Sequence, residues 1–431
     1  EQVTNAFLRP YSIMTLFSAR AAMAKGYLQV DVVSDTNSFP IENAEVSIAN
    51  TETPNDIFET LRTNSSGQTA NVELEAPPLE YSLEPGDVRP YSEYTLRVSA
   101  PGFEPAMISG TEILSGATAI QGVRLHPLAL ATGAEEEIII PDHTLYGVYP
   151  PKIAEDEIKP VNESGEIVLS RVVVPQTIVV HDGVPSNASA KNYYVPYRDY
   201  IKNVASSEIY ATWPQSTIVA NVLAIMSFTL NRVYTEWYRN QGYDFTITSS
   251  TAFDHKWIFG RNIYESISVV VVDIFDSYLS RPGVKQPILT QYCDGRRVTC
   301  PGWMTQWGSC DLGERGYSPI EILRYFYGDS IYINNAEQIA GIPASWPGYD
   351  LTIGTSGDKV RQLQEQLDAI SGIYTAIPGV VPDGIYGNAT AQAVREFQSI
   401  FGLPETGTVD FATWYKISYI YVGITRMGEL N

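Results

Sequence analysis

The spacing of apolar residues changes character several times along the chain, and each change predicts a different kind of element. Residues 1–25 carry an Ala-rich, helix-compatible stretch, Phe17 to Lys25, that stops at Gly26. From Tyr27 the period becomes two. Tyr27 to Val33, Ala44 to Ile48, Ala70 to Leu74 and Tyr94 to Ala100 alternate apolar and polar positions, separated by turn sequences such as Asn64-Ser65-Ser66-Gly67 and Pro101-Gly102. This predicts a small all-β sandwich over residues 26–127. Residues 128–175 lose any period and hold Glu135-Glu136-Glu137 and prolines at 141, 150, 151 and 160. A protease-accessible linker with a few short strands is expected there. An α+β block follows over 176–335. Over 350–423 the helical period returns, with Val360, Leu363 and Leu367 on one face.

One position breaks the pattern in the α+β block. Ile201, Val204, Ala205 and Glu208 fall at i, i+3, i+4 and i+7, so Glu208 occupies the apolar face of a predicted helix. A carboxyl partly withdrawn from water keeps its proton to higher pH, as a general acid must. Pro214 is expected to end the helix and open Glu208 to a cleft. On periodicity alone, a surface Glu at a fraying helix end is an equal reading.

Charge and composition narrow the partners. The net charge is −21 at pH 7 and no basic stripe stands out, so nucleic acid is not an expected partner. The longest apolar stretch, Thr217 to Leu230, reads as a buried helix, too short and too rich in Ser, Thr and Asn for a membrane span. The chain opens at Glu1 without a Met or a charged region followed by an apolar one, so any targeting peptide is expected to have been removed or left out. Of three cysteines, Cys293 and Cys300 flank a turn-rich insert that a disulfide would close in an oxidising compartment, which leaves Cys310 unpaired. Neither a metal nor another cofactor is expected, because His126, His143, His181 and His255 all lie far from the cysteines in sequence.

Three stretches resemble known families. Pro40 to Val46, Thr63 to Thr69 and Tyr94 to Phe103 resemble the carboxypeptidase regulatory-like, transthyretin-type domain, which implies a structural or interaction module. The helix holding Glu208, then Thr246 to Asp254 with Gly260-Arg261, Tyr292-Cys293-Asp294-Gly295, Gln306-Trp307-Gly308, and a helix opened by Ser318-Pro319, resemble in order the stage II sporulation protein D family of lytic transglycosylases. The wording is nearest to the spore cortex-lytic enzymes of clostridia. Asp383-Gly384-Ile385-Tyr386-Gly387, Phe397-Gln398 and Gly407-Thr408-Val409-Asp410 resemble the three-helix peptidoglycan-binding domain.

The resemblance implies a glycan-strand lyase of the cell wall or spore cortex, outside the cytoplasm, with Glu208 as its single acid/base and peptidoglycan as partner. Cleavage of a glycosidic bond needs an acid at the leaving oxygen, and hydrolases usually add a second carboxylate. A lytic transglycosylase manages with one, because the muramic acid 6-hydroxyl replaces water. Asp254 and Gln306 are candidates for support, while Trp307, Tyr210 and Arg261 are candidates for contact with sugar. The zinc-ligating cluster of some family members is not evident here, and the loop has Trp307 where they have Tyr. The cortex-lytic resemblance also implies a zymogen cut by a partner protease within about 128–175. The alternatives are a non-catalytic peptidoglycan-binding protein, an amidase enhancer, or an amide hydrolase, which lacks the expected zinc-amidase spacing.

Overall fold

The computed structural model describes residues 23–130, 136–160, 169, 171–340 and 346–425. The chain is multidomain, with a β-rich N-terminal region, a mixed α/β middle and a helical C-terminal region. The helix expected over Phe17 to Lys25 lies outside the described residues except at its end. There Ala24 and Lys25 belong to a strand, because the alternation of buried and exposed side chains begins before Gly26.

Two sheets form the β-rich region. One is built on β1 (Ala24–Ser34), the other on β2 (Glu45–Asn50) and β3 (Ile57–Arg62). Next along the chain come β4 (Val72–Ala76), β5 (Tyr91–Ser99), β6 (Ala106–Leu114), β7 (Thr118–Leu125) and β8 (Glu136–Ile139). β1 pairs antiparallel with β4 and parallel with β7. The second sheet runs β3-β2-β5-β6-β8. Inward residues such as Leu28, Val30, Val32, Val46, Ile48, Leu96 and Val98 are fully buried between the sheets, as the period of two requires.

Two features differ from the expected beads on a string. The short strand Ile263–Tyr264 of the middle region adds antiparallel to β7, with Ile263 opposite Ile120 and Tyr264 opposite Ala119. In addition, residues 142–159, expected to be an exposed linker, lie strapped across the middle region. Glu155 pairs with Arg232, Glu157 with Arg281, and the Lys159 N–H donates to Gln286 Oε1 at 3.0 Å. Glu155 and Glu157, not singled out in the sequence, supply the ion pairs that hold this segment down.

The middle region packs around the helix Gln215–Tyr234. This helix is longer than the stretch Thr217 to Leu230 suggested, and by length and composition it could cross a bilayer; 89% of that window is buried inside the protein. Several of its Ser, Thr and Asn groups bond internally: Thr217 Oγ1 donates to Ser309 O at 3.0 Å and Asn221 Nδ2 to Ser309 Oγ at 2.9 Å.

In the C-terminal region the helices Asp358–Ser371, Asn388–Ile400 and Phe411–Thr425 enclose Val360, Leu363, Leu367, Val394, Phe397 and Trp414. Two buried glutamines explain its turn sequences. Gln364 Oε1 accepts the Gly384 N–H and its Nε2 donates to Ile385 O, while Gln398 Oε1 accepts the Gly407 N–H and its Nε2 donates to Thr408 O. Gly384 and Gly407 have φ of 78° and 67°, which a side chain would strain.

Candidate active site

Glu208 is the last residue of the helix Tyr197–Glu208, and Ile209 leaves it with extended backbone. Pro214 starts the next helix instead of ending this one. The expected face is buried throughout: Ile201, Val204 and Ala205 are at 0% exposure and Glu208 at 4%. The residue nevertheless lines a small cleft, partly open to solvent, which it shares with Thr144, Tyr149, Lys152, Tyr292, Arg297 and Gln306.

Three segments converge on Glu208. Asn203, one turn earlier on the same helix, clamps the loop after Asp254: its Nδ2 donates to Ile258 O at 2.7 Å and its Oδ1 accepts the Ile258 N–H at 3.0 Å. That fixes the Lys256 N–H, which donates to Glu208 Oε1 at 2.8 Å. Gln306 opens the helix Gln306–Glu314 and donates from Nε2 to the Glu208 carbonyl at 2.7 Å and to Oε2 at 3.2 Å. Gln306 is itself placed by the parallel pairing of Tyr292–Cys293 with Met304–Thr305, and a Cys293–Cys300 disulfide closes the loop between these strands. From the strap, the Thr144 hydroxyl donates to Ser207 O at 2.7 Å and lies 3.4 Å from Glu208 Oε2.

The carboxylate is therefore oriented by neutral donors and keeps lone pairs directed at the cleft. Around it, burial pushes the Tyr292 phenol far above its ordinary range, and the Glu208 charge adds to that. Burial lowers Lys152, an effect countered by the charges of Glu208 and Asp254. Lys152 also lies over the Tyr292 ring at 4.9 Å. A carboxyl so held can pass a proton to a leaving group in the cleft and take one back.

One family model matches at the C-terminal end. Residues 356–417 match the peptidoglycan binding domain family. The zinc D-Ala-D-Ala carboxypeptidase of Streptomyces albus G is 40% identical over 73 residues, which are 17% of this chain and 27% of that enzyme. The chain thus spans about a quarter of the length of this curated relative. Among solved structures, the SleB N-terminal domain is 28% identical, covering 18% of this chain and 99% of that one at a TM-score of 0.16. The 5-hydroxyisourate hydrolase of Klebsiella pneumoniae is 17% identical, covering 23% of this chain and 86% of that one, also at 0.16.

Of the residues singled out by sequence, Gln306 meets Glu208 directly and the others do not. Asp254 is fully buried and braces a turn: Oδ2 accepts the Thr248 N–H and hydroxyl and the Tyr238 hydroxyl, and Oδ1 accepts Arg232 Nε at 2.7 Å. Trp307 and Tyr210, expected to face sugar, are 8% and 2% exposed and pack with Trp213 beneath the cleft. Arg261, also expected at the substrate, is buried in an ion pair with Glu112 of the sandwich, whose carboxyl burial pushes up to about 7. An aromatic or a guanidinium earns a buried place when its partners surround it, and these three have such partners. Cys310 is free and buried. Sequence reasoning missed Thr144, Tyr149, Lys152 and Lys256. Tyr292 stood within a noted motif without a role.

Proposed function

We propose that this chain cleaves the glycan strands of peptidoglycan as a lytic transglycosylase, with Glu208 as the single acid/base. The observation that carries this reading is a buried carboxylate at a cleft, oriented by the Lys256 N–H and the Gln306 carboxamide, in a chain that also holds a peptidoglycan-binding region. Protonated Glu208 gives its proton to the glycosidic oxygen as the bond to the anomeric carbon breaks. The resulting carboxylate takes the proton of the muramic acid 6-hydroxyl as that oxygen attacks the same carbon. Glu208 returns to its starting state and a 1,6-anhydro end is left. Binding by the C-terminal region raises the local concentration of glycan, outside the cytoplasm at the cell wall or spore cortex.

The reading includes activation by a partner protease cutting within about 128–175. Because Thr144, Tyr149 and Lys152 line the cleft, the activating cut falls on the N-terminal side of Thr144. Digestion of purified peptidoglycan followed by end-group analysis tests the proposal. Anhydro-muramic ends support it. New free reducing ends, or released peptides alone, overturn it.

A further inference from the structure

Two aromatic residues line the Glu208 cleft among the described residues, Tyr149 and Tyr292. Tyr292 is 2% exposed and stacks on His255 with ring centroids 5.8 Å apart, so little of it meets solvent. Tyr149 is half-buried, stands on the strap that crosses the middle region, and takes no part in the proton transfers described above.

The position of Tyr149 is fixed from several directions. The N–H groups of Tyr146 and Gly147 both donate to His143 O, at 3.0 and 2.7 Å, which makes the turn that precedes it. Arg297, on the loop closed by the Cys293–Cys300 disulfide, donates from Nη1 to Tyr146 O and to Gly147 O. Asp294 keeps that loop in shape, accepting the Arg297 and Val298 N–H groups at 2.7 and 2.9 Å. The Tyr149 phenol donates to Asp142 O. Gly147 leaves room for the ring, because a Cβ there would stand 2.8 Å from Tyr149 Cε2. Lys256, whose N–H donates to Glu208 Oε1, places its Nζ 5.4 Å from the Tyr149 ring centroid. Burial, and after it the charges of Glu112, Asp142 and Glu208, push the phenol up to about 12, so the ring is neutral at pH 7. A side chain fixed before its ligand arrives loses little freedom on binding.

A pyranose presents a face of C–H groups that packs on an aromatic ring while the hydroxyls at its edge stay within reach of polar groups. Trp307 and Tyr210, the rings expected to do this, are packed beneath the cleft, and Tyr149 is the accessible ring that remains. We propose that Tyr149 is the sugar-stacking residue of this cleft and binds an N-acetylhexosamine unit of the glycan beside Glu208, which rests on the glycan-cleaving reading above. The ring contacts substrate in the ground state and the transition state alike, so its loss should raise KM and leave kcat nearly unchanged.

Kinetics and binding test this separately. Rates of anhydro-end release over a series of peptidoglycan concentrations should give Tyr149→Ala a kcat/KM about tenfold lower, mostly through KM. Tyr149→Phe and Tyr149→Trp keep a ring and should stay within about threefold of wild type, which separates stacking from loss of the Asp142 tie and from a folding defect. Calorimetric titration of the full chain with tri-N-acetylchitotriose should show binding that Tyr149→Ala removes. Wild-type kcat/KM in the Ala variant, a loss confined to kcat, or a Phe variant as impaired as the Ala one overturns the proposal. So does a trisaccharide that fails to bind, or one whose binding Tyr149→Ala leaves unmoved. Trisaccharide bound through Tyr149 by a chain that leaves no anhydro ends would retire the lyase reading and keep this site.

Discussion

Glu208 and Asp254 are two buried carboxylates in the same region with opposite surroundings. Asp254 faces a buried guanidinium, a phenol, a hydroxyl and a backbone N–H, and Arg232 is further held by Glu155 at 2.6 Å. It accepts four hydrogen bonds, and the residue is closed to solvent. Glu208 meets neutral donors on one side and open cleft on the other. Depth of burial therefore does not distinguish the two; access to an open cleft does.

The sharpest break of the comparison is Glu208→Gln. It keeps shape and one acceptor but has no acidic proton, so turnover should fall by roughly two to four orders of magnitude while melting temperature and peptidoglycan pelleting stay put. Near wild-type production of anhydro ends by the folded variant would remove Glu208 from the chemistry. Asp254→Asn should do the reverse. Loss of one member of a buried pair costs about 3–5 kcal/mol, seen as a lower urea midpoint. Unchanged stability would mean the Arg232 network is held by Glu155 alone. Replacing Cys293 and Cys300 by alanine opens a short loop on the Gln306 side of the cleft, and stability should drop by about 2 kcal/mol in the non-reduced protein. Equal midpoints with and without reductant in the wild type would contradict this.

Gln306→Leu removes a donor to Glu208 without touching the acid itself, and kcat should fall by about tenfold to a hundredfold through misorientation. A change confined to KM would assign Gln306 to substrate binding instead. The smallest effect belongs to Lys152, which lies between the two carboxylates. Its folded pKa is lowered, so between that value and the ordinary lysine range the unfolded chain holds a proton the folded chain has released, and stability rises with pH. Lys152→Met should flatten this alkaline rise in a series of urea midpoints; an unchanged slope would show that another group causes it.

How much of this was legible depended on the reach of the contacts involved. The face of Ile201, Val204, Ala205 and Glu208 was readable because a helix sets it within one short segment. The glycine turns of the C-terminal region were readable too, although the buried Gln364 and Gln398 that hold them were not recognised as the cause. The strap was opaque: Thr144 finds Ser207 and Arg297 finds Tyr146, pairings between segments that share no local pattern. Arg261 misled because its partner, Glu112, lies on a strand of the sandwich. Trp307 and Tyr210 misled because an aromatic side chain looks the same in sequence whether it faces sugar or core.

The strand Ile263–Tyr264, added to β7, and the hydrogen bonds of Asn262 with Glu112 and of Trp213 with Ser82 stitch the sandwich to the middle region without using the connecting chain. A molecule nicked between residues 128 and 143 would then run as two bands on a denaturing gel and as one particle in gel filtration. Such a cut would be invisible to any size measurement made under native conditions, and the severed N-terminal piece would travel with the rest as a non-covalent subunit.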